Sequence, residues 1–571
     1  MLIQMKKSLS DHLSKYGCLL LTSAFGLAVF LFWGFRYPFA LTYQEQLQLF
    51  LFDGDYFCSR MAEPGGFARY IAEFLVQFYN GAAIGAAILA LLYMLVQRLM
   101  WRLMHAAKGY YLLSFIPAIL LWYAMGDESV MLTYVVALVM AMAVAIVLAR
   151  LAWLGMLARL GIAIVLIPML YWLIGPMVLL VAALMIPWIV GPAIVYAIAL
   201  ILVSAHFLPF PMSRVILGIS YYRFPEVIPY SLMAILVVVW LLAILSKKLP
   251  QPKQWYVYVQ AVVVVLMLVL PLRFGYDAKK YELIEYDHLV RVQDWNSIIR
   301  KAEKQMPDLP MSVSATNLAL GMTNQLGDRA FDFYQRGSEG LLPKFERNFA
   351  TTQLTGEIYF WLGLVNTAQR FAFEAMEAIP NYNKSARVVR RLVETNLING
   401  QYDVARKYLQ MLEKTIFYRP WAQRTMAMLG DEKAINAHPL YGTMRQYRLQ
   451  EDFLFSDREL DKICGQLFVH NQQNQMAAQY LVMLPLLDGD IPRFMQFVQV
   501  VQNRIQYNPR HCQEGIAFAF MQQRQQPPKG AVSQMMLQQM NDFARVYSQD
   551  QNSPELNRFR NTVWYYLTVG K

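Results

Sequence analysis

The chain has 571 residues, 57% of them hydrophobic and 16% charged, with a net charge of +12. That length is too great for one compact domain, and nearly all the long apolar runs lie before Leu272. Residues 1–271 hold 16 Lys/Arg and 9 Asp/Glu (+7) and the remainder 35 and 30 (+5), so neither half has the concentrated basic tract of a nucleic-acid binder, and no nucleic-acid partner is expected. Four cysteines, Cys18, Cys58, Cys464 and Cys512, are too few for a disulfide scaffold and form no C-x-x-C pair; Cys464 and Cys512 could pair with each other or remain buried thiols.

In chain order, the basic start MLIQMKKSLSDHLSKYG precedes an apolar run that leaves through Phe32-Trp33-Gly34-Phe35-Arg36 without a small-residue cleavage site, which reads as an uncleaved first membrane helix. A spanning helix needs about 20 apolar residues. On that measure spans are expected at Tyr16–Trp33, Gly81–Val96, Tyr111–Met125, Val130–Leu148, Leu160–Ile174, Met177–Val190, Ala193–Phe210, Ile228–Leu245 and Tyr256–Leu272, about nine in all. The eleven basic residues Lys6, Lys7, Lys15, Arg98, Arg102, Lys108, Arg150, Arg159, Lys247, Lys248 and Lys253 then fall on one side, against Arg36, Arg60, Arg69, Arg214 and Arg223 on the other. The positive-inside rule puts the N-terminus inside and the C-terminal half outside, in the periplasm of a Gram-negative cell.

The first outer loop, 36–79, holds Glu45, Asp53, Asp55, Glu63 and Glu73, five of the nine acids of the membrane half. Acids are costly in hydrocarbon, so the loop belongs at a water-facing surface. Its second part begins with the turn Pro64-Gly65-Gly66 and continues with Phe67, Tyr70, Ile71, Phe74, Leu75 and Phe78 on one helical face, predicting an interfacial amphipathic helix. Asp53-Gly54-Asp55 is a D-x-D that could hold a divalent metal or simply make an Asp-Gly turn, as the same string does at Asp488–Asp490. Glu45 is a candidate general base at the membrane boundary, or a residue of a solvated helix face. On the same side lie the short acidic turn Asp127-Glu128 and the loop from Pro209 to Pro229, with Arg214, Tyr221, Tyr222, Arg223 and Glu226. The arginines and tyrosines could grip a lipid phosphate, or snorkel within an aromatic belt.

From Tyr281 the pattern is helical with short turns. Gly356, Tyr359, Ala368, Ala372, Ala375 and Pro380 superpose on a following set of Leu392, Gly400, Tyr402, Ala405, Leu409 and Leu412. Ala368 and Ala405 are 37 residues apart, near the tetratricopeptide period. The expected fold class is therefore all-α: a polytopic membrane helix bundle (1–272) followed by a soluble α-solenoid of degenerate tetratricopeptide-like repeats (273–571). No nucleotide-binding, zinc-protease or serine-hydrolase motif is present, and the seven histidines have no zinc-like spacing. A transporter would need ionisable residues near span centres, and the spans have none there.

The strings PGGFARYIAEFLVQFY (64–79), RVQDWNSIIRKAEK (291–304), FAFEAMEAIP (371–380) and RRLVETNLINGQYDVARKYLQMLEKTIFYRPWA (390–422) resemble an uncharacterised family of multi-pass membrane proteins from Bacteroidetes-type bacteria, over essentially the whole chain. That resemblance implies a Gram-negative inner membrane and no particular activity. The placement of an acid soon after the first span, of acids in the second outer loop and of an outer C-terminal domain is similar to that of GT-C membrane glycosyltransferases, a likeness of architecture alone. It implies a polyprenyl-phosphate-linked sugar as co-substrate and catalytic roles for Glu45, Asp53, Asp55, Asp127 and Glu128. Arg214, Tyr221, Tyr222 and Arg223 would bind substrate, and any divalent metal would sit at Asp53 and Asp55. The alternative is a non-enzymatic anchor whose helical region scaffolds an envelope protein complex. Expected partners are membrane lipid and, through the helical region, protein.

Overall fold

The computed structural model describes residues 2–570 except 152, 186, 225–227, 252, 347, 381–382 and 451–459. Glu226 therefore lies outside the described residues. The fold is all-α, with about thirty helices and, among the described residues, only two isolated β-bridges. The chain divides into two compact units. One comprises residues 1–281 with the short later segments Pro380–Ser385 and Lys414–Phe417; the other comprises the rest.

The first unit is a membrane helix bundle. Its helices are α1 (Leu2–Leu31), α2 (Pro38–Gln46), α3 (Gly54–Met61), α4 (Gly66–Val76), α5 (Ala82–Met104), α6 (Ile116–Ala124), α7 (Leu132–Arg150), α8 (Met156–Ile174), α9 (Val178–Ala183), α10 (Pro187–Phe207), α11 (Met212–Leu217), α12 (Tyr230–Leu245) and α13 (Gln254–Val269). Among the described residues seven helical runs are long and apolar enough to cross a membrane: Tyr16–Arg36, Ala82–Met104, Leu132–Arg150, Met156–Ala183, Ile189–Phe207, Tyr230–Lys248 and Trp255–Phe274.

Two of the nine expected spans, Tyr111–Met125 and Met177–Val190, are not long helices among these runs. Tyr111–Met125 is not one α-helix: a 3-10 stretch, Lys108–Phe115, gives way at Ile116 to the nine-residue α6, and Pro117 in its first turn has no N–H to bond back into the preceding stretch. Met177–Val190 is not one continuous long helix either. Gly175, at φ 65°, breaks the run, Gly175–Met177 is 3-10, and α9 has only six residues. Tyr111 is nonetheless fixed inside the bundle by a polar chain. Its hydroxyl lies 2.6 Å from Thr22 Oγ1, which donates to Gln97 Oε1, while Gln97 Nε2 donates to Ser114 Oγ at 2.7 Å. Each group is paired, as hydrocarbon surroundings require.

The helix ends gather at two poles. At one, Ser246 Oγ donates to the Met104 carbonyl (2.8 Å), Tyr110 OH to that of Pro250 (3.0 Å) and Gln260 Nε2 to that of Gly109 (3.0 Å). We call this the basic pole. At the other, the loop pole, Gly65 N donates to Trp172 O (2.9 Å), Met131 N to Tyr221 O (2.9 Å) and Tyr281 OH to Gly126 O (2.9 Å). The chain returns between the poles through the two short irregular stretches as well as through the seven long runs.

The second unit is helical and contains the two matching pairs read from the sequence: Phe349–Leu362 with Val365–Glu377, and Ala386–Ile398 with Tyr402–Glu413. Gly363 and Gly400 take the left-handed conformation at the turns (φ 98° and 76°), and Ala368 and Ala405 are buried where the helices meet. The helical region expected as an α-solenoid also has pairings between helices distant in sequence. In such an array each repeat touches only its neighbours, but here Gln479 Nε2 donates to Gly321 O (3.1 Å), its Oε1 accepts from Leu326 N (3.2 Å), and Arg510 N donates to Asp328 Oδ1 (2.7 Å). The reason is helix Gln475–Asp488, buried from Met476 to Leu487: a helix apolar on all sides must be enclosed, so distant helices pack around it. At its end Gly489 is left-handed and Asp490 caps the next helix by accepting from Arg493 N (3.1 Å), so this D-G-D is a helix–helix turn. Cys464 and Cys512 are separate buried thiols, and burial pushes Cys512 up to about 12.

Candidate functional site

The loop pole is built from the outer loops. After α1 the chain makes one π turn, Phe32–Arg36, and Pro38 opens α2. Proline suits this position, where its fixed φ fits the helix and its missing N–H costs nothing. Every residue of α2 from Phe39 to Gln46 is buried, so Glu45 lies inside the protein and not on a solvated face. Two residues on, the Leu47 carbonyl accepts from Arg223 Nη1 at 3.4 Å.

Arg223 draws together three segments far apart in sequence. Besides Leu47, its Nε donates to Glu128 O (3.2 Å) and its backbone N to Ser129 O (2.7 Å), beside an antiparallel bridge between Val130 and Tyr222. The side chain is 2% exposed, its hydrogen bonds end on backbone carbonyls, and among the described residues it makes no ion pair. Burial pushes the guanidinium down to about 10, against the longer-range pull of Tyr43, Glu73 and Glu128. Arg214 is also buried. It donates to Tyr222 O (2.9 Å) and Arg223 O (3.2 Å), and its guanidinium sits 4.4 Å from the Tyr222 ring centre. Neither arginine snorkels. Tyr221 donates to Ile174 O and accepts from Met177 N (3.3 Å), pinning the break between α8 and α9.

The remaining predicted residues are engaged in other ways. Asp127 Oδ1 accepts from Ser129 N (2.9 Å), the bond of an ordinary Asp turn. Glu128 pairs with Lys280 Nζ at 2.8 Å and meets Arg223 only through its carbonyl. Asp53 precedes α3 and pairs with Lys414 at 2.8 Å; that ammonium holds its carboxyl below the usual range. Asp55 is exposed in the first turn of α3. Among the described residues no group of three or more His, Cys, Asp or Glu is placed to hold a metal. The structure thus brings the Glu45–Gln48 segment, the Asp127–Ser129 turn, Arg214 and Tyr221–Arg223 together, and leaves Asp53 and Asp55 in an ion pair and at the surface.

Helix α4 presents its faces in the opposite sense to a soluble amphipathic helix. Arg69 and Glu73 are buried with Ala68, Ala72 and Val76, while Phe67, Tyr70, Ile71 and Phe74 are half-buried. Glu73 accepts from Arg69 Nε (2.9 Å), Arg60 Nε (2.7 Å) and Tyr56 OH (2.5 Å). Arg69 Nη1 donates to Glu63 (2.9 Å), and Asn383 Oδ1 accepts from both Arg60 (3.2 Å) and Arg69 (2.9 Å). Burial alone would raise the Glu73 carboxyl, but the two guanidiniums and the tyrosine hold it below the usual range. The Arg69–Glu73 spacing of four residues was the one readable signal of this network; the parts played by Arg60 and Asn383 had none.

Seven long apolar helical runs and buried arginines at one pole define a polytopic membrane protein with a helical C-terminal region. The chain matches the family of unknown function DUF6057 over residues 14–570 and belongs to it. No curated protein and no solved structure matches the chain.

Proposed function

We propose that the loop pole is the substrate site of an envelope glycosyltransferase of GT-C type, using a sugar carried on a polyprenyl phosphate. The observation that carries this reading is Arg223, a buried guanidinium bound by carbonyls and no carboxylate among the described residues. An uncompensated buried cation costs several kcal/mol, and a phosphate anion entering between the three loop segments would offset that cost. Glu45 would take the proton of the acceptor hydroxyl. The acceptor oxygen would then bond to the anomeric carbon, and the electron pair of the breaking bond would pass to the phosphate oxygen, whose charge Arg223 stabilises. Asp127 and Glu128 serve by shaping the turn that holds Arg223. The likeness to GT-C enzymes is one of placement, and the site residues are argued on their own geometry.

Glu45→Gln and Arg223→Gln are each expected to lower transfer about 100- to 1,000-fold, read as loss of an envelope glycan in cells carrying a folded variant. An unchanged glycan profile with both variants would overturn the transferase and leave the scaffold reading, in which cross-linking from the C-terminal helical region recovers an envelope partner.

This reading places the loop pole on the periplasmic side of the inner membrane and the N-terminus in the cytoplasm, supported by the eleven-to-five distribution of Lys and Arg. A reporter fused after Lys571 is expected to be active only if it works in the periplasm; cytoplasmic activity would reverse the orientation.

A further inference from the structure

We infer that the sugar of the donor is read at the loop pole by the side-chain amide of Gln48 and the hydroxyl of Thr133, and that this sugar is uncharged and carries free hydroxyl groups. The inference rests on the transferase reading above and adds the part of the substrate that Arg223 does not hold.

Helix α2 and the two residues after it bury a run of amides: Gln44, Gln46 and Gln48 are 4%, 1% and 6% exposed. Gln46 Nε2 donates to Thr42 O within the helix at 3.1 Å. Gln48 differs. Its Nε2 is buried and has no hydrogen-bond partner among the described residues. Thr133, 1% exposed in the first turn of α7, is in the same position, with Oγ1 buried and unpaired. A threonine within a helix commonly bonds the carbonyl one turn back, as Thr316, Thr352 and Thr355 do in the second unit. Leaving a buried polar group unpaired costs free energy, and in native proteins the great majority are paired. Both groups are therefore set for a partner that the chain itself does not supply.

Their place in the chain says which part of the donor that is. Gln48 follows Leu47, whose carbonyl accepts from Arg223 Nη1 (3.4 Å). Thr133 lies four residues after Ser129, whose carbonyl accepts from Arg223 N (2.7 Å), and two after Met131, whose N donates to Tyr221 O (2.9 Å). Each orphaned group thus belongs to one of the two segments that hold Arg223. A phosphate on Arg223 carries its sugar on the neighbouring bond, so the sugar is what comes next to these segments. An amide and a hydroxyl both donate and accept, as sugar hydroxyls require. A second phosphate would instead bring further negative charge to the turn of Glu45, whose carbonyl accepts from Gln48 N (3.3 Å), and neither Gln48 nor Thr133 has a charge to balance it.

The test measures binding to the purified full chain in detergent. The probes are farnesyl methyl phosphate and the farnesyl phosphodiesters of glucose, galactose, mannose and N-acetylglucosamine, all of equal charge. The wild type is expected to bind at least one glycosyl diester about tenfold more tightly than the methyl diester. In Gln48→Leu and Thr133→Val that ratio should fall toward one. Their unfolding temperatures without ligand should match or exceed that of the wild type, because an apolar side chain replaces an unpaired polar one; a merely structural role would lower them. Arg223→Gln should weaken every probe, the methyl diester included. If the methyl diester binds through Arg223 and no glycosyl diester binds more tightly, or if both variants keep the wild-type ratio or unfold earlier, the sugar subsite is overturned and the transferase reading stands. If no probe binds, or Arg223→Gln binds them all as the wild type does, the transferase reading fails and the subsite with it.

Discussion

Glu73→Ala is expected to destabilise the first unit by about 3–5 kcal/mol, the cost of removing one partner from a buried ion pair. Glu73 is 1% exposed and shared by two arginines. Without it Arg69 keeps Glu63 and Asn383, and Arg60 keeps Tyr56 and Asn383, so two guanidiniums remain buried with one carboxylate between them. The loss should appear as a lower unfolding temperature in detergent and as early protease cleavage between α3 and α4. Glu73→Gln preserves the shape and part of the hydrogen bonding, and separates charge from packing. Because the folded carboxyl titrates below its ordinary value, its contribution is fully present above the unfolded value, near 4.3, and is lost as pH falls through the folded one. The wild type should therefore lose stability on acidification through that window, and Glu73→Gln should lack that share of the loss. Equal stability of wild type and Glu73→Ala would mean that the network does not hold the loop.

Gly126→Ala is the second large effect. A methyl group at this position would lie 1.9 Å from the Gly275 carbonyl oxygen, so the end of α6 and the turn after α13 meet backbone to backbone. The contact has to open by more than 1 Å, because real methyl groups do not approach below 3.0 Å. Overpacking of this kind costs about 1–3 kcal/mol. It also moves the Asp127–Ser129 turn, which holds Arg223 through two hydrogen bonds, and the Tyr281 hydroxyl bond to Gly126 O. If the loop pole is the proposed transfer site, a displacement of that size is worth about 100-fold in rate. Under the proposed transferase reading, transfer should therefore fall as well as stability. Gly54→Ala, where an added methyl meets nothing within 4 Å, is the control and should change neither.

Much of the first unit was legible because membrane insertion is decided locally. Twenty successive residues either are or are not apolar enough, and Ala82–Met104, Leu132–Arg150 and Tyr230–Lys248 fall close to their predicted places. The two failures were local in cause but not in scale. Composition alone did not distinguish one continuous helix from a run that changes from 3-10 to α-helix between Phe115 and Ile116, or one that breaks at Gly175. The amphipathic helix after Pro64 was also read correctly as an element, yet its faces were not. Its charged side is buried because Arg60 pairs with Glu73 and Asn383 accepts from Arg69, and no window of the sequence contains all of those partners.

The sequence by itself determined the all-α class and the concentration of acids in the outer loops, because these follow from transfer free energy and composition summed over short windows. Only the tertiary structure decided what each charge does. Asp53 is spent on Lys414, 361 residues away, Glu128 on Lys280, 152 away, and Arg223 binds Leu47, 176 away, while Glu45 is buried. A charge's role is set by its burial and by the partner within hydrogen-bond reach, and both are properties of the folded chain.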